Sequence, residues 1–246
     1  MRSVGFSTGA LALGDFRRAL AMLNEKHADA VELSALREYE LPELVSALPS
    51  LDLSSFKYVS FHAPSTMNAA FEPTAVELLE AVVGRGWQVI VHPDVIVDWE
   101  LWKKLGQYLC LENMDKRKAV GQTVDQLEPL FKALPEASFC FDLGHVRQVD
   151  PTLTEAFLIL RHFKNRLRQI HISDVNSDSR HAELTIEAML AFKRLAPAIP
   201  PTIPVIIESR VSESQIESEI QLVREILDDD NRGGRRTPNL TQAISA

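Results

Sequence analysis

Eight short apolar runs, set at roughly 30-residue intervals and separated by longer amphipathic segments, constrain this chain more than any other feature. The runs fall at 4–6, 30–33, 58–61, 89–91, 109–111, 139–141, 169–172 and 205–207. Helical segments follow over about 16–25, 42–48, 74–83, 99–105, 124–134, 154–163, 185–195 and 213–227. Asp15 and Asp98 are suited to cap two of them, and Gly84 and Gly86 to close a third. Strands that alternate with helices pair in parallel. Runs such as Val89-Ile90-Val91 and Val205-Ile206-Ile207 are apolar throughout, as strands covered on both faces must be. An open doubly wound sheet is the rival architecture. The even strand count and the length of 246 residues favour a single (β/α)8 barrel. One barrel domain is expected over 1–227. The stretch 228–246, with its charge runs and Gly-Gly pair, has too few large apolar residues to bury much surface and is expected to be a flexible tail.

The ends of the runs are unusual. YVSFH ends on His62, QVIVH on His92, YLCLE on Glu112 and PVIIE on Glu208. SFCFDLGH delivers Asp142 and, three residues on, His145; RQIHIS carries His171. Apolar strands rarely finish on a carboxylate, because an unpaired buried charge is costly. In a (β/α)8 barrel these ends meet at one mouth, where active sites lie. His181 sits in the long loop after the seventh run, so five of the seven histidines join this set. His27 and His162 lie on or beside helices and read as ordinary surface or packing residues. A lone strand-end histidine is most simply a hydrogen-bonded core residue. Six or more metal-ligand types at equivalent ends are hard to derive from packing. A ring of buried ion pairs would need matching Lys or Arg, and mainly Arg180 and Arg210 are at hand. Imidazole mixed with carboxylate suits Zn, Mn, Fe or Co better than Ca.

Composition narrows the partners. A formal charge of −8 does not favour nucleic acid or an anionic membrane, and no run approaches the roughly 18 apolar residues of a membrane span. The first residues carry no pattern of a signal peptide. Cys110 and Cys140 form no CxxC pair. Each stands two residues before a candidate ligand, so both face the same interior as small buried hydrophobes. A reducing, cytoplasmic location fits. The sequence points to a small-molecule substrate and is compatible with self-association.

The segments His62–Pro64 (HAP), Val91–Pro93 (VHP), Leu111–Asn113 (LEN), Phe141–His145 (FDLGH), His171–Asp174 (HISD) and Ile207–Ser209 (IES), taken in order, resemble the xylose isomerase-like TIM-barrel superfamily. That group includes endonuclease IV and many sugar isomerases and epimerases. The resemblance implies a divalent-metal enzyme, with two branches to separate. In the isomerase and epimerase branch one Mn-like ion is held by Glu112, Asp142, His171 and Glu208. Glu112 and Glu208 then pass a proton next to a carbonyl, and His145 and Arg180 contact the substrate. In the endonuclease IV branch three zinc ions share nine ligands. His62, His92, Glu112, Asp142, His145, His171, His181 and Glu208 resemble eight of them, while Ser179 stands where the ninth, an Asp, is expected. Ser65 stands in place of that branch's DNA-intercalating tyrosine. The expectation is therefore one to three ions, Mn or Zn, and a small polyol, sugar or sugar-phosphate-like substrate. Isomerisation leads and phosphoester hydrolysis is the alternative, with a non-catalytic metal-binding barrel as the third reading.

Three further readings complete the sequence view. Glu32, on the second run, either reaches the rim of the site or serves behind its ligands or at the surface, with equal weight. Ser7-Thr8-Gly9 reads as a simple turn. Trp87, Trp99 and Trp102 read as helix–sheet packing.

Overall fold

A computed structural model describes residues 2–228; the segment 229–246 lies outside the described residues, so the expectation of a flexible tail concerns residues beyond them. The barrel strands are β1 (Val4–Ser7), β2 (Ala30–Ser34), β3 (Tyr58–His62), β4 (Gln88–Val91), β5 (Leu109–Glu112), β6 (Ser138–Asp142), β7 (Leu167–Ile172) and β10 (Val205–Ile207). They close in the order β1-β10-β7-β6-β5-β4-β3-β2, every pair parallel. The chain is a (β/α)8 barrel. The open doubly wound sheet is ruled out, because each of the eight strands pairs on both sides and no edge strand is left.

Closure requires tight approach where the ring joins. A Cβ on Gly5 would lie 1.6 Å from the carbonyl oxygen of Ala30 on β2, so only glycine fits there. Helices α2 (Phe16–Leu23), α3 (Leu41–Ala47), α4 (Glu72–Val83), α6 (Val124–Ala133), α8 (Thr154–Phe163), α9 (Ile186–Leu195) and α10 (Ile216–Asp228) cover the outside. Val89, Val91, Leu109, Leu111, Phe139 and Phe141 pack in one large core with the helices. Their alternating neighbours Ile90, Cys110 and Cys140 form a separate buried cluster. The period of two thus sorts each strand into an outer, helix-facing set and an inner, barrel-filling set. His92, Glu112 and Asp142 lie two residues beyond the inner set, which carries them into the mouth.

Sequence periodicity misjudged the shortest pieces. Thr8-Gly9 opens a one-turn helix, α1 (Thr8–Ala12), where a simple turn was expected. The helix expected over 99–105 is one turn, α5 (Trp99–Trp102), running into a 3-10 segment that breaks at Gly106, φ 52°. Helix α7 (Leu143–Val149) and the small antiparallel pair β8 (Asp174–Val175) and β9 (His181–Ala182) were not foreseen. All lie in strand-to-helix connections at the mouth and are too short to show a repeat of 3.6 or two.

Candidate metal centre

Barrel strands and their ends, with helix α7 and strand β9 just above them, supply the side chains of the centre. Glu112, 1% exposed at the end of β5, is its hub. Its Oε2 lies 3.2 Å from His62 Nε2 and 3.3 Å from His92 Nε2. Its Oε1 lies 3.3 Å from both His145 Nδ1 and His171 Nδ1. His171 Nδ1 is also 3.5 Å from Glu208 Oε2, and His181 Nε2 is 3.6 Å from the same oxygen. Asp142 caps α7 by accepting from the His145 amide at 2.6 Å. Asn113 clamps β5 to β6: its amide donates to the Asp142 carbonyl at 3.0 Å and its oxygen accepts from the Asp142 amide at 2.8 Å. Gly144 lets α7 sit close, since a Cβ there would be 2.7 Å from the Ser173 carbonyl.

Local acceptors set the ring orientations. His62 Nδ1 donates to the Ala63 carbonyl at 2.7 Å and His145 Nδ1 to the Asn113 carbonyl at 2.9 Å, leaving Nε2 of each as the lone-pair nitrogen. His181 Nδ1 pairs with Ser173 Oγ at 2.7 Å. His171 is turned the other way, with Nδ1 toward the hub and Nε2 3.2 Å from Glu32 Oε2. Glu32 is fully buried, so the surface reading of this residue falls and the rim and supporting readings remain. An acid inside a fully buried strand is the signal that pointed to it.

Protons stand in this cluster where cations would. Burial resists charge on His62, but hydrogen bonding to Glu112 and the negative charge of Glu32, Glu112 and Glu208 lift it to about 9. For His145 burial is likewise outweighed, chiefly by Asp142 and Glu112, and it rises to about 10. Burial and the neighbouring His145 push His181 down to about 3. Burial raises Glu208 to about 8 despite His171, helped by repulsion from Glu112 and Asp142. Glu112 is held well below the carboxylate range; burial opposes this, and His171 and His92 dominate.

Ligand atoms converge in overlapping sets: His62, His92 and Glu112; Glu112, Asp142, His171 and Glu208; Asp142, His145 and His181; and Glu32, His62 and Glu208, each within 4.8 Å mutually. No Lys or Arg among the described residues pairs with Glu112, Asp142 or Glu208, so the ion-pair ring fails. Buried atoms without a hydrogen-bond partner include Asp142 Oδ2, His92 Nδ1 and Glu32 Oε1. Two of these three are carboxylate oxygens, atoms for which a bound cation is the natural partner. The mixed imidazole and carboxylate set fits a divalent transition metal.

Above the centre opens a cavity of about 510 Å3, lined by His62, His92, His145, His181 and Glu208 and walled by the cations Arg37, Arg117, Lys118 and Arg210. Arg117 is held by Asp115 (Nε to Oδ1, 3.0 Å) and Lys118 by Asp94 (2.5 Å). Arg37 reaches only Thr66 Oγ1, at 3.3 Å. Arg180 is exposed on the turn between β8 and β9 and does not line the cavity, which leaves its expected substrate contact without a place there. The cationic wall was missed because Arg37, Arg117 and Lys118 lie on irregular loops without periodicity.

No protein-family model and no curated protein matches the chain. Solved structures do. Endonuclease IV from Thermus thermophilus is 18% identical over 92% of this chain and 99% of that one, with a TM-score of 0.60. A xylose isomerase domain protein from Alicyclobacillus acidocaldarius is 12% identical over 92% and 98%, with a TM-score of 0.64. A xylose isomerase-like TIM barrel protein from Mycobacterium smegmatis, in complex with magnesium, is 14% identical over 92% and 97%, with a TM-score of 0.53. At these identities the likeness is one of fold: the chain shares a (β/α)8-barrel architecture with those proteins over nearly their whole length. Among the described residues no helix is long and apolar enough to cross a membrane.

Proposed function

We propose that this chain is a multi-metal phosphoester hydrolase acting on a small phosphorylated polyol or sugar. The observation that carries this reading is the two-sided use of Glu112. One oxygen faces His62 and His92, the other faces His145 and His171. A carboxylate placed in this way would serve two ligand sets, whereas a one-ion site would leave His62 and His92 idle. His62, His92 and Glu112 would hold one ion, and Glu112, Asp142, His171 and Glu208 a second. Asp142, His145 and His181 would hold a third. Cations bound there supply an acidified water and charge compensation for the leaving oxygen. Arg37 and Arg210 draw the anionic substrate into the cavity and orient it. A volume of about 510 Å3 matches a small ligand.

The fold neighbours named for endonuclease IV and for xylose isomerase support the two branches about equally. One observation favours the isomerase or epimerase reading. Glu112 is held ionised while Glu208 is raised to about 8. Carboxylates whose proton affinities are pushed apart suit a base and its partner acid. Metal content and reaction products separate the two. About two to three ions per chain and release of inorganic phosphate from small phosphate esters support hydrolysis. A single ion, with solvent deuterium entering a sugar or sugar phosphate, would overturn it in favour of proton transfer. Cleavage of abasic-site DNA would move the substrate to nucleic acid.

A further inference from the structure

We propose that Glu32 is the positioning residue for His171: its carboxylate accepts the imidazole proton at Nε2 and so leaves the Nδ1 lone pair for a cation. The inference rests on a cation being held by Glu112, Asp142, His171 and Glu208, the part of the functional reading common to both branches.

His171 is fully buried, and its Nδ1 faces Glu112 Oε1 at 3.3 Å and Glu208 Oε2 at 3.5 Å. A neutral imidazole carries one proton on one nitrogen. If the proton sits on Nδ1, it points at the hub and blocks coordination. The outer nitrogen, Nε2, has two neighbours that pull opposite ways. Glu32 Oε2, at 3.2 Å, is an acceptor and holds the proton on Nε2. The Gln169 amide nitrogen, at 2.7 Å, is a donor and favours the proton on Nδ1. Tyr58 fixes that amide by donating to Gln169 Oε1 at 2.7 Å. The competition is therefore built in, and only an anionic acceptor outweighs the donor in favour of metal binding. For His62 and His145 backbone carbonyls make the same choice. His171 lies within β7, and a side chain from β2 takes the role.

Glu32 is itself held for this purpose. Ser60 Oγ donates to Oε2 at 3.0 Å, and the Gln169 amide donates to it at 2.6 Å. Its Oε1 has no hydrogen-bond partner among the described residues, although Glu32 is fully buried. Neither Lys nor Arg contacts it among the described residues. A fold selected for stability alone would gain by an apolar residue here, since a buried carboxylate with an unfilled oxygen is costly. A carboxylate behind a metal-ligating histidine is the arrangement that raises ligand basicity and fixes its tautomer.

The test uses the full-length protein with zinc, in wild type, Glu32→Leu and Glu32→Gln. Leu removes the acceptor without burying a new polar group; Gln keeps the volume and one acceptor oxygen. Competition with a chromogenic chelator should show zinc held about 10–100-fold more weakly by Glu32→Leu, with Glu32→Gln in between. In protein labelled with 15N-histidine and loaded with zinc, His171 should give the Nε2–H pattern with a low-field proton in wild type. That low-field shift should be lost in Glu32→Leu. Equal zinc affinity and an unchanged His171 pattern in both variants would overturn the role of Glu32 while leaving the metal centre intact. Failure of the wild type to bind zinc, manganese or cobalt would overturn both.

Discussion

Two buried glutamates, Glu72 and Glu112, carry the same side chain at the same depth and do opposite work. Glu72, 3% exposed on α4, accepts from the Val97 amide at 2.8 Å and the Asp98 amide at 3.1 Å. It also accepts from Trp102 Nε1 at 2.7 Å. Its partners are fixed N–H groups that never give up their protons, so the carboxylate ties the β4–α5 connection to α4 and is finished. Glu112, 1% exposed, meets imidazoles on both oxygens and no backbone donor. Imidazoles shed protons and then offer lone pairs. Burial of an acid therefore does not mark a site; the kind of donor around it does.

The largest expected effect sharpens that contrast. Glu112→Gln removes the bridging charge shared by two ligand sets. It should lower turnover by at least about a thousandfold, since the hub acts on every ion at once, and reduce metal content. The metal-free variant should lose stability at pH 6.5, where the protons on His62 and His145 then lack their counter-charge, and little near pH 10, where those protons are gone in either protein. Metal analysis, activity assays and thermal unfolding of the same preparation check all three. Full metal content in the variant would end the hub assignment.

Glu72→Ala should do the reverse. It strands two amides and an indole N–H, at about 3–5 kcal/mol, and lowers the unfolding temperature by roughly 10 °C. Ions per folded chain should not change. If metal content fell with stability, the two glutamates would not be separate in kind.

How far the sequence foretold this contrast depends on periodicity. The strands and their mouth-facing ends were legible because a repeat of two is unambiguous in buried runs. His62, His92, Glu112, Asp142, His171 and Glu208 are brought together at strand ends, and His145 and His181 join them from α7 and β9. Glu32 was half legible: an acid in a buried strand announces a partner but not which one. Arg37, Arg117 and Lys118 were invisible, since loop positions follow no repeat and their convergence on one cavity is a property of closure. Arg180, only one residue from His181, shows the converse hazard. The family resemblance gave it a substrate contact, while the turn between β8 and β9, with Ser179 at φ 54°, leaves it exposed.

The smallest expected effect concerns pH, and its sign follows from the protons that Glu112 and its neighbours retain. In the metal-free protein His62 holds its proton up to about 9 and His145 up to about 10. An unfolded histidine releases it near 6.5. Between those values the folded state binds more protons, so the stability they contribute is complete below about 6.5 and is lost as pH rises through 9 to 10. Glu208, raised to about 8, acts in the same direction between the unfolded carboxylate value near 4.3 and 8. The combined loss is on the order of a few kcal/mol. Ions that displace these protons remove the loss, and their binding must release protons at neutral pH. Unfolding scans with chelator at pH 6.5 and 9.5 should show the metal-free protein weaker at the higher pH. Zinc-loaded protein should show a smaller drop or none, and titration with zinc in weakly buffered solution should acidify it. Glu112→Gln should flatten the metal-free slope, and a slope unchanged in that variant would take the proton reservoir away from Glu112.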